Sequence, residues 1–182
     1  MIKLLFGKIG SGKSYIGQLA QERYGYVFHD MDWDLPTEMK ESIERHDEVT
    51  QDMRDQFTIA TVDRIRKLKE KNDRICISQA LFKNQNRVTI QSELPDVDFI
   101  WVDAREALIS ERLKKRTGFT ASAYYANLIN PNFEIPTIKC TKFMNSAVNT
   151  EFYTQMECHF GNRGEPGESG QLRSLRSLRA TS

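Results

Sequence analysis

"IKLLFGKIGSGKS", residues 2 to 14, passes from an apolar run into a loop with three glycines, two lysines and two serines. Gly7, Gly12, Lys13 and Ser14 satisfy G-x-x-x-x-G-K-[ST], the Walker A spacing, and "KSYIGQLAQERYG" behind them reads as a helix. Glycines at 7, 10 and 12 let the backbone take positive φ and turn its N–H groups onto an anion, to which a helix start adds partial positive charge. The whole stretch Gly7, Lys8, Ile9, Gly10, Ser11, Gly12, Lys13, Ser14 and Tyr15 is therefore the expected phosphate cradle. Within it Lys13 can reach the outer phosphates of ATP, and the Ser14 hydroxyl can ligate magnesium. A glycine-rich turn alone would not require a strand before it and a helix after it.

Composition narrows the partner. The 182 residues suit one domain with a single proper core, and 26 basic against 25 acidic residues leave no overall field for nucleic acid. No run approaches the roughly 20 apolar residues of a membrane span, so neither a membrane nor a nucleic acid is an expected partner, and the chain reads as cytoplasmic. Cys76, Cys140 and Cys158 are too widely spaced for a zinc site or a disulfide framework, and His29, His46 and His159 lack ligand spacing.

Apolar, β-rich runs recur at residues 2–6, 26–29, 74–78, 99–102 and 137–143. Helical patterns lie between them. In residues 52–71, Met53, Phe57, Ala60, Ile65 and Leu68 trace one face, and in residues 103–116 the spacing of Asp103 and Glu106 is that of a capping box. Alternating strands and helices predict a mostly parallel sheet covered on both faces, with ligands at the carboxyl ends of the strands. Residues 1–160 form the expected domain, and residues 161–182, rich in Gly, Ser and Arg, are the expected disordered tail.

"YVFHDMDWDLP" puts Asp30, Asp32 and Asp34 just past the second strand, near the phosphate loop if both strands end at one edge. Asp30 is the candidate magnesium carboxylate and Asp32 the candidate base, whereas Asp34 reads as a turn residue. Trp33 and Trp101 read as packing residues.

With "DMDWDLP" (Asp30, Asp32, Pro36), "DMR" (Asp52, Arg54), "SQALFKNQNR" (Ser78, Lys83, Arg87) and "RLKKRTGF" (Arg112, Arg116) following the loop in order, the chain resembles the gluconate kinase and shikimate kinase branch of the P-loop small-molecule kinases. The resemblance implies an α/β, three-layer P-loop NTPase-like fold with a five-stranded parallel sheet in the order 2-3-1-4-5 and a short helical lid. It also implies ATP and Mg2+ as cofactors, Lys13, Asp32 and Arg116 as catalytic residues, and Arg112 at the nucleotide. Asp32, Arg54 and Lys83 would hold the acceptor, and Ser14 and Asp30 the metal. Departures such as Leu35, where the family has histidine, leave the acceptor open among sugar acids and polyols. The expected activity is ATP-dependent phosphorylation of a small hydroxylated metabolite by a monomer or homodimer. A nucleoside or nucleotide kinase and a nucleotide-binding regulatory protein are the alternatives.

Overall fold

The computed structural model describes residues 1–115 and 123–161. Strand β1 (Ile2–Phe6) leads through the glycine loop into α1 (Lys13–Tyr24), then β2 (Val27–Asp30), a 3-10 turn (Met31–Asp34), α2 (Thr37–Arg45) and α3 (Gln51–Lys69). Next come β3 (Ile75–Ser78), α4 (Asn84–Glu93), β4 (Val97–Asp103), α5 (Glu106–Lys114), α6 (Ala123–Ile129), a second 3-10 turn (Asn130–Asn132), β5 (Thr141–Met144) and α7 (Thr150–Phe160). The strands form one sheet in the order β2-β3-β1-β4-β5, the order that the resemblance implied, and every neighbouring pair is parallel.

The two-residue period of β1 divides the apolar interior between two faces. Ile2, Leu4 and Phe6 join Ile75, Ile77 and Phe99 beneath Phe57 and Ile65 of α3 and Ile90 of α4. Leu5 points the other way, joining Cys76, Ile100 and Val102 beneath Ile16 of α1 and Phe152 and Phe160 of α7. Burial on both sides explains why the strands read as continuous apolar runs rather than alternating ones.

The structure corrects several local expectations. Strand β5 begins at Thr141 rather than 137, because the backbone N–H of Thr137 is taken by the Asn84 side chain at 3.0 Å, outside any ladder. The predicted face of α3 packs inward, with Phe57 and Ile65 buried, Ala60 and Leu68 half-buried beside them and Met53 against a neighbouring cluster, but the buried face is wider than predicted and takes in Val62 and two threonines, Thr58 and Thr61, which polar partners meet. The capping box does not form. Arg105 is the residue before α5 and makes no side-chain cap, while Asp103 ends β4, accepts from the Ala104 N–H at 2.9 Å and pairs with Lys142 at 2.7 Å. Trp33 is 67% exposed, touching Phe28 and His29 edge-on, whereas Trp101 does pack, stacked on Phe133. Arg116 and the expected tail beyond Gly161 lie outside the described residues. No helix among the described residues is long and apolar enough to cross a membrane.

Candidate active site

The loop from Gly7 to Gly12 is held open by positive φ angles and gripped from outside. Gly7 has φ 148°, and a β-carbon there would come within 2.3 Å of the Val102 carbonyl; Gly12 has φ 97°, and its β-carbon would meet Asn145 Nδ2 at 2.1 Å. Neither position admits a side chain. The Ser11 carbonyl accepts from Asn145 Nδ2 at 2.8 Å and from Arg112 Nη1 at 3.1 Å. Asn130 grips the opposite side in both directions: the Ile9 N–H donates to its Oδ1 at 2.9 Å, and its Nδ2 donates to the Ile9 carbonyl at 3.1 Å. The N–H groups of Gly10, Gly12 and Ser14 take no acceptor among the described residues, which leaves donors for an anion. Lys13 Nζ folds back over the loop, 3.1 Å from the Gly7 carbonyl and 3.0 Å from that of Lys8.

Beyond the loop lies a cavity of about 110 Å³. Lys13, Ser14, Asp30, Asp32 and Arg54 line it together with Ile9 and Gly10 of the loop. At its floor the Ser14 hydroxyl donates to Asp30 Oδ2 at 2.6 Å, while Asp30 Oδ1 accepts from the Asp32 N–H at 3.2 Å. The turn bearing Asp32 is braced from behind. Arg64 donates twice to Asp34, at 2.7 and 2.8 Å, and His29 Nε2 lies 2.7 Å from the same carboxylate. Burial opposes the charged form of Asp34, but Arg64 and His29 outweigh it and hold the carboxyl below its usual range.

Arg54 makes no hydrogen bond or ion pair through its guanidinium with any of the described residues, and burial pulls its pKa down; Tyr125, Glu48 and Glu134 act on it only at a distance. A half-buried, unpaired cation facing a cavity is costly unless an anion joins it. Tyr125 lies near both Arg54 and Asp32, with burial pushing its phenol up to about 12.

Other expected residues turn elsewhere. Lys83, expected at the acceptor, is ion-paired with Glu134 at 3.1 Å, and that carboxylate also accepts from the Asn84 N–H at 2.8 Å. Lys8 pairs with Glu106, and the Tyr15 ring packs 6.0 Å from that of Phe152. Arg112 braces the loop as described. Arg87 is fully buried between the rings of Phe6 and Phe133 and donates to the carbonyls of Leu81, Phe82 and Glu134. That clamp holds Leu81 at φ 45°, a conformation rare for leucine, at the edge of the cavity.

Gln79, Thr58, Asn86 and Tyr125 also line the cavity, and sequence reasoning missed them as site residues. Gln79 lay inside a quoted motif, but nothing in its spacing separates it from its neighbours. Asn130 and Asn145 reach the loop from more than 100 residues away, which no local pattern announces.

No family model matches the sequence, and no curated protein matches it. Solved structures do. A sugar kinase from a Janibacter species superposes with a TM-score of 0.71 at 18% identity, over 86% of this chain and 90% of that one. A gluconokinase from Sinorhizobium meliloti gives 0.69 at 20% identity, over 87% and 93%. A deoxyadenosine kinase from M. mycoides with bound dATP gives 0.59 at 15% identity, over 87% and 99%. With its sheet order, its loop and these likenesses taken together, the chain has the fold of the P-loop small-molecule kinases.

Proposed function

We propose that the protein transfers the terminal phosphoryl group of ATP to a hydroxyl of a small metabolite that carries an acidic group. One observation carries the reading: Ser14 and Asp30 meet at 2.6 Å on the floor of a cavity that Lys13, Asp32 and Arg54 also line. A hydroxyl and a carboxylate side by side are hard oxygen donors of the kind magnesium takes. Ser14 and Asp30 would hold Mg2+, which neutralises charge on the phosphate oxygens when bound.

The chain's own groups do the rest. Lys13, which donates to the Gly7 and Lys8 carbonyls, would give its ammonium protons to phosphate oxygens, adding ion-pair attraction to the hydrogen bonds. The free loop N–H groups fix the phosphate chain, and Arg54 draws in the acidic group of the acceptor. Asp32 takes the proton of the attacking hydroxyl as its oxygen bonds to phosphorus and ADP leaves. Arg116, by the resemblance, adds positive charge over the transferring group. Catalysis is thus positioning and electrostatics without a covalent intermediate.

The test is ADP release from Mg-ATP across a panel of sugar acids, polyols, other hydroxy acids and nucleosides. Acceptor-dependent release by an acid-bearing compound supports the reading. Tight Mg-ATP binding with no release for any acceptor would favour a nucleotide-binding regulatory protein, and release with nucleosides alone would favour a nucleoside kinase.

A further inference from the structure

Ser78 opens the run "SQALFKNQNR" and ends β3, the strand between β2 and β1 in the sheet. The residue is 1% exposed, and its hydroxyl, shut off from solvent, has no hydrogen-bond partner among the described residues. A buried hydroxyl has given up its bonds to water, so one left unmatched works against the fold until some other polar group completes it.

The direction of that hydroxyl follows from register. Successive strand residues alternate between faces, so Ser78 shares the face of Cys76, and Asp30 that of Phe28. Cys76 and Phe28 both lie in the cluster beneath α1, as does Leu5, which is level with Ser78 on β1. Ser78 is also level with Asp30 on β2, so the two side chains stand side by side on the α1 face, one strand spacing of about 4.8 Å apart. The first turn of α1 meets them there, where the Ser14 hydroxyl reaches Asp30 Oδ2. On the other flank β1 runs on from Leu5 through Phe6 into the phosphate loop. The unmatched hydroxyl thus sits against the carboxylate of the candidate metal site.

Asp30 accepts from Ser14 on one oxygen and from the Asp32 N–H on the other, and a carboxylate has about four lone-pair sites, so room for another donor remains. Magnesium gives up its waters reluctantly and keeps several when protein oxygens bind it, and each of those waters has protons to place. The Ser78 oxygen can accept one of them, with the hydroxyl's own proton turned toward Asp30. Both halves of the orphaned group would then be used.

We propose that Ser78 is a positioning residue for the cation, holding a metal-bound water beside Asp30. The inference rests on the phosphotransferase reading, in which Ser14 and Asp30 hold magnesium.

The experiment uses the full chain and reads binding rather than turnover. Calorimetry gives the affinity for ADP with magnesium and with EDTA in its place, and the ratio of the two is the gain due to the metal. Ser78→Ala should lower that ratio about tenfold, the scale on which groups just outside a metal's own ligands act, and should leave the metal-free affinity within about twofold. Without metal the variant should melt no lower than the parent, because the hydroxyl removed had no partner to lose. Ser78→Cys, which keeps the size but offers only a weakly bonding sulfur, should lower the ratio in the same way and serves if the alanine variant folds poorly. An unchanged ratio, or an equal fall of both affinities, would overturn this inference alone. A parent protein that binds ADP with no gain from magnesium would remove the metal site beneath it, and one that binds no ADP would remove the kinase reading itself.

Discussion

Asp32 and Asp30 are two residues apart yet should fail in different ways. Asp32→Asn keeps the size and removes the charge and basicity, so kcat should fall by about 10²-fold or more while ATP affinity changes little. Asp30→Asn should instead raise the magnesium concentration needed for half-maximal rate, which a metal titration of turnover would read. Lys13→Ala should weaken Mg-ATP binding severely; calorimetry giving an unchanged affinity would defeat the nucleotide reading. Replacing Arg54 with Leu should raise KM for an acidic acceptor by tenfold or more and leave a neutral acceptor nearly untouched. At this scale the sequence told most where spacing carries chemistry: the glycines, Lys13 and Ser14 form one motif, and Asp30 and Asp32 are a pair at a strand end. It told least where a side chain's role depends on the path of distant backbone. Lys83 looked like a cation for the acceptor, but its course toward residue 134 is set by contacts some 50 residues away and gives it Glu134 instead.

Among elements, the short turn Met31–Asp34 is held by charge and the loop at Leu81 by a buried cation. Because the folded pKa of Asp34 is depressed, the stability it adds is present above its ordinary value of 3.8 and is lost as pH falls through the lower folded value. Asp34→Asn should therefore cost about 1–2 kcal/mol at neutral pH, and the gap to the parent protein should close below about pH 4. Melting curves across that range would show it, and a gap that widened in acid would contradict the brace. Arg87→Met leaves three backbone carbonyls without their donor, so a loss on the order of 3 kcal/mol or more is expected, with lower activity as Leu81 relaxes. The strands and the long helices were legible from period and apolar content. Helix α7 could have been read too, since Phe152, Met156 and Phe160 recur every four residues and all are buried. The burial of Thr58 and Thr61 on α3 could not, since threonine counts as polar in any pattern and is buried here beside Gln79 and Asn86.

For the molecule as a whole, the described structure ends in an anchored helix: the Phe160 ring is fully buried, and its carbonyl accepts from Arg74 at 2.8 Å. We therefore expect that removing residues 162–182, which hold little periodic apolar surface, shifts the melting temperature by no more than a few degrees. A larger fall would show that those residues pack. The sheet order was legible only through the resemblance, because local periodicity says that strands exist and nothing about which ones are neighbours. That order has a consequence for how the chain is made. Ile2 pairs with Ile75 on one side and Val97 on the other, so the first strand has no partner until some 70 further residues exist and is not enclosed until the fourth strand arrives. Parallel strands cannot shorten this wait, for each needs its crossover before it can close. During synthesis the apolar run IKLL must stay unpaired while α1, β2 and α3 emerge behind it, and a fragment stopping at Lys69 should show helix but no cooperative unfolding. The strand that feeds the phosphate loop is thus made well before the two partners that secure it, so nucleotide binding should appear only after the fourth strand has been released.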